Sequence, residues 1–172
     1  MKEAEEEEFR AFIAVRLDPL RRTAYLLCRD WHLADDLVSI TVGKLYRHWR
    51  RVCAAGNVEA YVRGVLTHAW LDETRRPWRR EQPTGDGFDV AGALAAVARP
   101  DELERRLTVL DLLAALPPRR RAVVVLRFYC DLSVTETAQL LGLAEGTVKS
   151  QASKGLETLR LMMSEDVKLE TS

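Results

Sequence analysis

The sequence predicts an all-α protein made of two small helical domains joined by a flexible linker, and three observations lead to this fold class. Apolar residues recur at spacings of three and four over most of the chain, which is the period of an amphipathic helix. Residues 81–100 interrupt that period with Pro, Gly and a run of small residues, as linkers do. A Ser-x-x-Glu pair, Ser133 with Glu136, is followed by Gly142, and this combination marks the start and the end of a short helix.

Composition narrows the possible classes of function. The chain has 172 residues, of which 47% are hydrophobic, enough for one ordinary core or two small ones. Its 26 basic residues balance 26 acidic ones, which excludes a uniformly basic nucleic-acid binder. Arginines nevertheless cluster at 75–80 and at 119–121. Such local patches can bind phosphate, although a solvated surface explains each cluster equally well.

Signals for metal binding, catalysis and membrane insertion are lacking in the sequence. Cys28, Cys53 and Cys130 are odd in number, lie far apart and have no His at ligand spacing, so we expect neither a disulfide framework nor a metal site. No motif pairs a nucleophile with a base or forms a glycine-rich phosphate loop, so we expect no catalysis and no cofactor. The acidic amino terminus is unlike a signal peptide, and a reduced cytoplasmic protein without membrane insertion is the expectation.

The first two helices are predicted from their apolar stripes. Residues 9–29 carry apolar side chains at helical spacing, and Pro19 is expected to break or kink this helix. Residues 34–49 form the next helix, with one buried face and with charged side chains outward. The predicted buried stripe consists of Ala34, Val38, Val42, Leu45 and Trp49.

The third helix is predicted to start after Asn57, whose side chain can accept a hydrogen bond from one of the free N–H groups at a helix start. The helix continues to about Leu71 and leads into the arginine-rich stretch 72–80. Trp70 and Trp78 are interleaved with these arginines, and we expect Trp70 to pack in the core rather than to offer a stacking surface.

The second half of the chain begins after the linker. Residues 102–116 have the leucine spacing of a helix, and Pro117 is expected to stop it. With the linker at 81–100, the two helical domains are predicted to cover 1–80 and 101–172.

Residues 132–161 have the pattern of two short helices around a tight glycine turn. Ser133 and Glu136 form a capping box at the first helix, and Gly142 stands where a left-handed residue would end it. The second helix resumes at Thr147, with one apolar side and with basic and amide side chains elsewhere. This pattern is typical of a helix-turn-helix, and an ordinary helical hairpin with a solvated polar face is the alternative.

The context of these two helices resembles region four of bacterial sigma factors. In that family a helix of the form LPP, basic, AVxxLRxY precedes DLSxxExAxxLGxxxGTVKSxxxRGLxxLR, and the match here runs nearly unbroken from Leu116 to Arg160. The resemblance implies that the second helix enters the major groove of the promoter's minus-thirty-five element. It assigns DNA-binding roles to Thr147, Lys149, Ser150, Gln151, Ser153, Lys154 and Arg119.

The residue types indicate which of these side chains would contact phosphates and which would contact bases. Lys149 and Lys154 suit phosphates, whereas Ser150 and Gln151 are better placed to read bases. Many relatives have Arg where this chain has Gln151, and a bidentate Gln prefers adenine where Arg prefers guanine. Ala144 stands where a capping Ser is common, so we expect a recognition helix with a less well capped start.

Residues 34–49 resemble the region-two helix with which sigma factors grip the β′ clamp helices of RNA polymerase, usually written AEDLVQETFxxxWR. Ser39 and Ile40 replace the family's Gln and Glu, which removes two long polar side chains from the expected polymerase face. The polymerase-binding residues implied by the resemblance are Asp35, Asp36, Leu37, Ser39, Ile40, Lys44 and Arg47.

The helix after Asn57 resembles NPxAYLxRIxxNxxxDxxRRxRR, the sigma-factor segment that captures melted bases of the minus-ten element. His68 occupies the position of the family's characteristic Asn. An exposed His can stack on an unpaired base and hydrogen-bond to it, or it can be a neutral surface residue, and both interpretations stay open. The DNA-binding residues implied here are Arg63, His68, Arg75, Arg76, Arg79 and Arg80.

The order of region two, linker and region four is similar to that of the extracytoplasmic-function sigma factors, with features of an actinobacterial subgroup. Such proteins are initiation subunits rather than enzymes. The resemblance implies core RNA polymerase, through its β′ clamp helices and β flap, promoter DNA and an anti-sigma factor as partners.

Two other functions remain as alternatives at the level of sequence. One is a stand-alone helix-turn-helix regulator that binds duplex DNA without polymerase. The other is an interaction module that no longer directs transcription, which Ser39 and Ile40 keep open. Neither alternative needs the region-two motifs in this order.

Overall fold

The computed structural model describes residues 3–76 and 109–170. Every regular element in these two ranges is helical, which confirms the predicted all-α class. No helix in them combines the length and the hydropathy needed to span a bilayer. The predicted linker at 81–100, Arg79, Arg80 and residues 102–108 of the predicted helix at 102–116 lie outside the described residues.

Two helical units follow each other along the chain. The first unit contains α1 (Glu3–Ala14), α2 (Leu17–Cys28), α3 (Trp31–Arg47), α4 (Trp49–Cys53) and α5 (Val58–Thr74). The second unit contains α6 (Val109–Ala115), α7 (Pro118–Val124), a π-helical turn (Val125–Tyr129), α8 (Val134–Leu141) and α9 (Glu145–Glu170).

The break between α1 and α2 is displaced from its predicted position. It falls at Val15 and Arg16 rather than near Pro19. Pro19 lies in the first turn of α2, where a backbone N–H would have no intrahelical partner, so the missing donor does no harm there. The prediction of a break at Pro19 was therefore wrong.

α3 begins earlier than its apolar stripe predicts. Asp30 has extended backbone angles, and its carboxylate accepts hydrogen bonds from the N–H groups of His32 and Leu33 at 2.8 and 3.1 Å. This N-cap starts the helix at Trp31, three residues before Ala34. Arg29, whose φ of 56° is left-handed, ends α2 immediately before it.

The predicted buried stripe of α3 faces the core of the first unit. Ala34 and Leu45 of that stripe are fully buried there with Leu27 of α2 and Leu66 of α5. Trp70 is only 2% exposed, which confirms the expectation that it packs in the core.

One apolar core extends through both helical units. Leu113, Leu116, Val124 and Val125 of the second unit belong to the same buried cluster as the α2, α3 and α5 side chains. A smaller cluster around Val123 and Val148 holds α7, α8 and α9 together. The two units described here are thus packed against each other, although the sequence predicts two separate domains.

The turn that links α7 to the helix-turn-helix is a π helix. The N–H of Cys130 donates to the carbonyl of Val125 at 3.0 Å, a bond across five residues rather than four. Leu126, at its second position, is fully buried, while Phe128 and Tyr129 are each 51% exposed.

Candidate nucleic-acid interface

The first helix of the helix-turn-helix starts and ends as predicted, whereas the second begins at Glu145, two residues before the predicted Thr147. The Ser133 hydroxyl accepts a hydrogen bond from the N–H of Glu136 at 3.1 Å, and the Glu136 carboxylate accepts one from the N–H of Ser133 at 2.8 Å. Gly142, with φ of 63°, ends α8 in the left-handed conformation. These features confirm the capping box and the glycine turn.

The recognition helix α9 is anchored by one face and exposes the other. Val148, Ala152, Gly155, Thr158 and Met162 form the buried face. Leu156 and Leu159, which the sequence predicts in that stripe, are only half-buried. The predicted DNA-binding residues on the exposed face are Thr147, Lys149, Ser150, Ser153 and Lys154.

Gly155 sets how closely α9 crosses α7. A Cβ at this position would lie 2.5 Å from Cγ2 of Val124 and 3.4 Å from Cγ of Arg120. Because a Cβ would overlap the branched Val124 side chain, the close crossing depends on glycine. The crossing holds the exposed face of α9 in a fixed orientation.

Gln151, a predicted base-reading residue, is half-buried at the edge of that face. Nε of Arg120 donates a hydrogen bond to Oε1 of Gln151 at 3.0 Å. A guanidinium has only donors, so the amide oxygen must face Arg120 and the amide NH₂ must face away. Arg120 therefore fixes the orientation of the Gln151 amide.

The basic run at 119–121 has three different environments rather than forming one patch. Arg119 is exposed. Arg120 holds Gln151. Arg121 is half-buried, and the burial of its guanidinium lowers its pKa to about 10. The run is therefore not a solvated phosphate-binding patch throughout.

Arg121 connects the two helical units. Its guanidinium donates to the carbonyls of Leu27 at 2.6 Å, Ala114 at 2.6 Å and Leu116 at 3.0 Å, and it lies 5.3 Å from the ring centroid of Trp70. Leu27 lies in the last turn of α2, where helix carbonyls lack intrahelical partners. A positive charge is favourable at such helix carboxyl termini.

The residues implied for the minus-ten element make contacts within the protein. Nη1 of Arg63 donates to the hydroxyl of Thr23 at 2.8 Å and to the sulfur of Cys130 at 3.4 Å. Nε2 of His68 is hydrogen-bonded to the carbonyl of Leu140 in α8. Arg75 and Arg76 are exposed at the carboxyl end of α5 and pair with Asp72 and Glu73.

Most of the residues implied for polymerase lie on one outward face of α3. Asp35, Asp36, Ser39, Ile40 and Arg47 are exposed, and Lys44 is half-buried. Ile40 is an apolar side chain with 41% of its surface exposed. Asp35 forms a two-pronged ion pair with Arg21, which lowers the pKa of the Asp35 carboxyl.

Leu37 does not fit the polymerase-binding role implied for it. Its side chain is fully buried in the core of the first unit, so no partner can contact it in this conformation. Its match to the family motif reflects packing instead. The sequence carries a signal for this, since Leu37 is three residues after Ala34 and four before Thr41, both of which are buried.

Three features of the site have no local signal in the sequence. The burial of Arg121 and the bond from Arg120 to Gln151 depend on which helices meet. A third is an aromatic stack at the start of α3, where the Trp31 ring lies 3.9 Å from that of Tyr25 and Arg21 lies 4.5 Å above Trp31.

Comparison with known protein families gives two matches that together cover most of the chain. A family model described as "Sigma-70 region 2" matches residues 12–80. A second, described as "Sigma-70, region 4", matches residues 106–159. The two matched regions contain α2 to α5 and the helix-turn-helix, respectively.

Two Streptomyces relatives are similar along most of their length, and a mycobacterial relative is similar along about half of its length. The RNA polymerase sigma-E factor of Streptomyces avermitilis is 32% identical over 160 residues, 93% of this chain and 87% of that protein. The corresponding factor of Streptomyces coelicolor is 32% identical over 153 residues, 89% of this chain and 84% of that protein. The ECF RNA polymerase sigma factor SigE of Mycolicibacterium smegmatis is 33% identical and covers 83% of this chain and 56% of that protein.

A solved structure has the same fold. The sigma factor RpoE of Bartonella quintana, in a complex with the anti-sigma factor NepR, superposes with a TM-score of 0.69 at 21% sequence identity. The superposition covers 93% of this chain and 99% of that one.

Proposed function

The chain belongs to the extracytoplasmic-function group of sigma-70 sigma factors, and from this membership we propose how its residues divide the work of promoter recognition. As a sigma factor it directs promoter-specific initiation by binding core RNA polymerase and promoter DNA, and it is not an enzyme. The alternative of a stand-alone regulator is set aside, because residues 12–80 match sigma-70 region 2 in addition to the helix-turn-helix match.

The minus-thirty-five element is read by α9. The observation that carries this proposal is its continuous exposed face, opposite a face that is anchored by Val148 and Gly155. On that face Lys149 and Lys154 contact phosphates, and Ser150 contacts a base. Gln151 reads a neighbouring base with an amide that Arg120 orients. Thr147, Ser153 and Arg119 complete the DNA contacts at the edges.

The unpaired strand of the minus-ten element is captured by α5 and the arginines that follow it. Arg63, Arg75 and Arg76 supply positive charge for the phosphates, as do Arg79 and Arg80, which lie outside the described residues. His68 offers a ring that can stack on an unpaired base and hydrogen-bond to it, as single-strand recognition requires. Its exposed position on α5 supports this role.

Core polymerase is bound by the exposed face of α3, through the β′ clamp helices. Asp36, Ser39 and Ile40 are exposed there. With Ile40 in place of a long polar residue, this contact is more apolar than the family motif implies. Leu37 is excluded from the contact because it is buried. Asp35, Lys44 and Arg47 flank it, and the β flap is contacted by the second unit.

An anti-sigma factor is a further partner that we propose. The Bartonella quintana sigma factor of the same fold was solved with its anti-sigma factor NepR. We also propose that the protein acts in the cytoplasm, where it would meet RNA polymerase and promoter DNA.

Run-off transcription tests the residue assignments. Purified core polymerase is mixed with a pool of upstream sequences, with and without the protein, and the bases enriched among the transcribed templates are read. Ser150→Ala should relax the preference at one position of the minus-thirty-five element. Ser164→Ala is the matched control, because Ser164 is also exposed on α9 but lies four turns further along. Equal base preferences for the two variants would contradict the assignment of Ser150.

A further inference from the structure

The two helical units are joined at the amino-terminal ends of α5 and α8. Oδ1 of Asn57 caps α5 by accepting a hydrogen bond from the N–H of Ala60 at 3.0 Å. Nδ2 of the same side chain donates to Oε1 of Glu136, in the capping box of α8, at 2.6 Å. Asn57 thus links the N-caps of two helices that belong to different units.

The middle of α5 is shaped to receive α8. A Cβ at Gly64 would lie 2.5 Å from Cδ2 of Leu140, so any side chain at this position would force the Leu140 side chain to move. One helical turn earlier, Ala60 is buried in a cluster with Leu126 and Leu132, against which Leu140 also packs. The contact is therefore an apolar interface flanked by hydrogen bonds.

The same interface occupies two side chains that are proposed to capture the minus-ten strand. Arg63 precedes Gly64 directly, and its guanidinium is held by Thr23 and by Cys130 of the second unit. His68 lies one turn after Gly64, and its ring nitrogen is bonded to the Leu140 carbonyl in the last turn of α8. A base or phosphate that bound to Arg63 and His68 would have to displace the second unit from these two side chains.

The other two proposed binding surfaces remain open in the same conformation. On α9, Lys149, Ser150 and Lys154 are exposed, and on α3, Asp36 and Ile40 are exposed. The contact between α5 and α8 therefore covers strand-capturing groups, whereas it leaves the duplex-reading face and the polymerase face accessible.

We propose that the second unit competes with the unpaired minus-ten strand for Arg63 and His68. This proposal rests on the minus-ten role assigned to these residues above. In the closed molecule, α3 can dock on polymerase and α9 can bind duplex DNA, but strand capture waits until α5 and α8 separate. If only one molecule in a hundred had α5 and α8 separated, the apparent affinity for single-stranded DNA would be about 100-fold weaker than that of the open state.

Two substitutions open the interface without touching either strand-binding residue. Gly64→Gln places a side chain where Leu140 packs, and Gly43→Gln is its matched control, since a Cβ at Gly43 in α3 has no atom within 4 Å. Asn57→Asp keeps a good N-cap for α5 but sets a carboxylate against Glu136, so the two charges repel each other. Asn57→Asp is a second, independent way to open the interface, in case Gly64→Gln impairs folding.

The experiment combines small-angle X-ray scattering of the full chain with fluorescence anisotropy. The probes are a random-sequence single-stranded oligonucleotide and a random-sequence duplex, both short and labelled. We expect Gly64→Gln and Asn57→Asp to increase the radius of gyration and to bind the single strand at least tenfold more tightly. Binding to the duplex should change less than twofold, and Gly43→Gln should behave as the unmodified chain.

The outcomes separate this proposal from the function on which it rests. Expansion without tighter single-strand binding would overturn the competition, as would the absence of expansion in both variants. In the Gly64→Gln background, adding Arg63→Ala and His68→Ala should abolish the gain. A gain that persists would overturn both the competition and the minus-ten assignment of these residues. Run-off transcription by Gly64→Gln tests sigma activity separately.

Discussion

The half-buried Arg121 gives the most direct test of how the two units are held together. We expect Arg121→Met to lower the free energy of unfolding, because methionine keeps the apolar stem and removes the guanidinium. That group donates to three carbonyls, of Leu27, Ala114 and Leu116. A hydrogen bond from a charged donor contributes about 1.5 to 3 kcal/mol, and a buried acceptor that loses its partner costs about 1 to 3 kcal/mol.

The net magnitude is smaller than the sum of three such bonds. Burying a guanidinium without a carboxylate has its own desolvation cost, which the lowered pKa of Arg121 reflects and which the substitution removes. Nε of Arg121 is buried with no hydrogen-bond partner, so it adds to that cost. We therefore expect a net loss of about 2 kcal/mol, within the range for leaving buried polar groups unsatisfied.

Urea unfolding followed by circular dichroism measures this loss. Arg119→Met is the matched control, because Arg119 is exposed and surface substitutions usually change stability by less than about 0.5 kcal/mol. Arg121→Lys should give an intermediate loss, since a single ammonium group cannot reproduce the planar fork of donors. If Arg121→Met matched the unmodified chain within about 0.5 kcal/mol, the three carbonyl contacts would not stabilise the junction and the reasoning would be wrong.

Three further predictions follow from the helix-turn-helix. Gln151→Ala should relax one base preference in a promoter library at a cost of about 1 to 3 kcal/mol. Arg120→Met should weaken the same preference, because it frees the Gln151 amide. An unchanged library profile for both variants would refute the base-reading role of Gln151. Ala144→Ser should raise the free energy of unfolding by about 1 kcal/mol in thermal denaturation. The Ala144 carbonyl already accepts the first hydrogen bond of α9, so only the side-chain cap is missing. No gain in stability would count against Ala144 as the N-cap position. The pKa of Glu136 is lowered by the N–H and hydroxyl of Ser133 and by Asn57, so its contribution to stability is fully present above the ordinary pKa of glutamate and is lost as the pH falls through the lowered value. Unfolding measured from neutral to acidic pH should show a smaller acid-induced loss in Glu136→Gln than in the unmodified chain, and parallel curves would contradict the linkage.

Features that depend on neighbours in sequence could be predicted from the chain alone. The capping box at Ser133, the left-handed Gly142 and the Asn57 cap each satisfy backbone groups within a few residues, so their residue types are sufficient evidence. The start of α3 was missed by three residues. An apolar stripe shows which face is buried, whereas the Asp30 cap decides where the helix begins.

Features that depend on which helices meet could not be predicted in this way. An arginine in a basic run has the same sequence signature whether it is exposed like Arg119 or buried like Arg121. In the contact of α5 with α8, Gly64 lies opposite the Leu140 side chain, and a glycine within a helical pattern gives no sign of its partner. The residues implied for the minus-ten element were identified by motif, but the contacts of Arg63 and His68 with the second unit emerge only from the packing.

The π-helical turn at Val125–Tyr129 sets the rotational phase between α7 and the recognition helix. An α-helix advances by about 100° per residue, and a π turn absorbs one residue more than the α-helical hydrogen-bond pattern allows. Deleting a single residue there would regularise the helix and rotate everything after it by about a quarter of a turn. Leu126 and Leu132, now buried together against Ala60, would no longer face the same helix. The length of this turn, as much as the composition of α9, therefore decides in which direction the DNA-reading face points relative to the polymerase-binding unit.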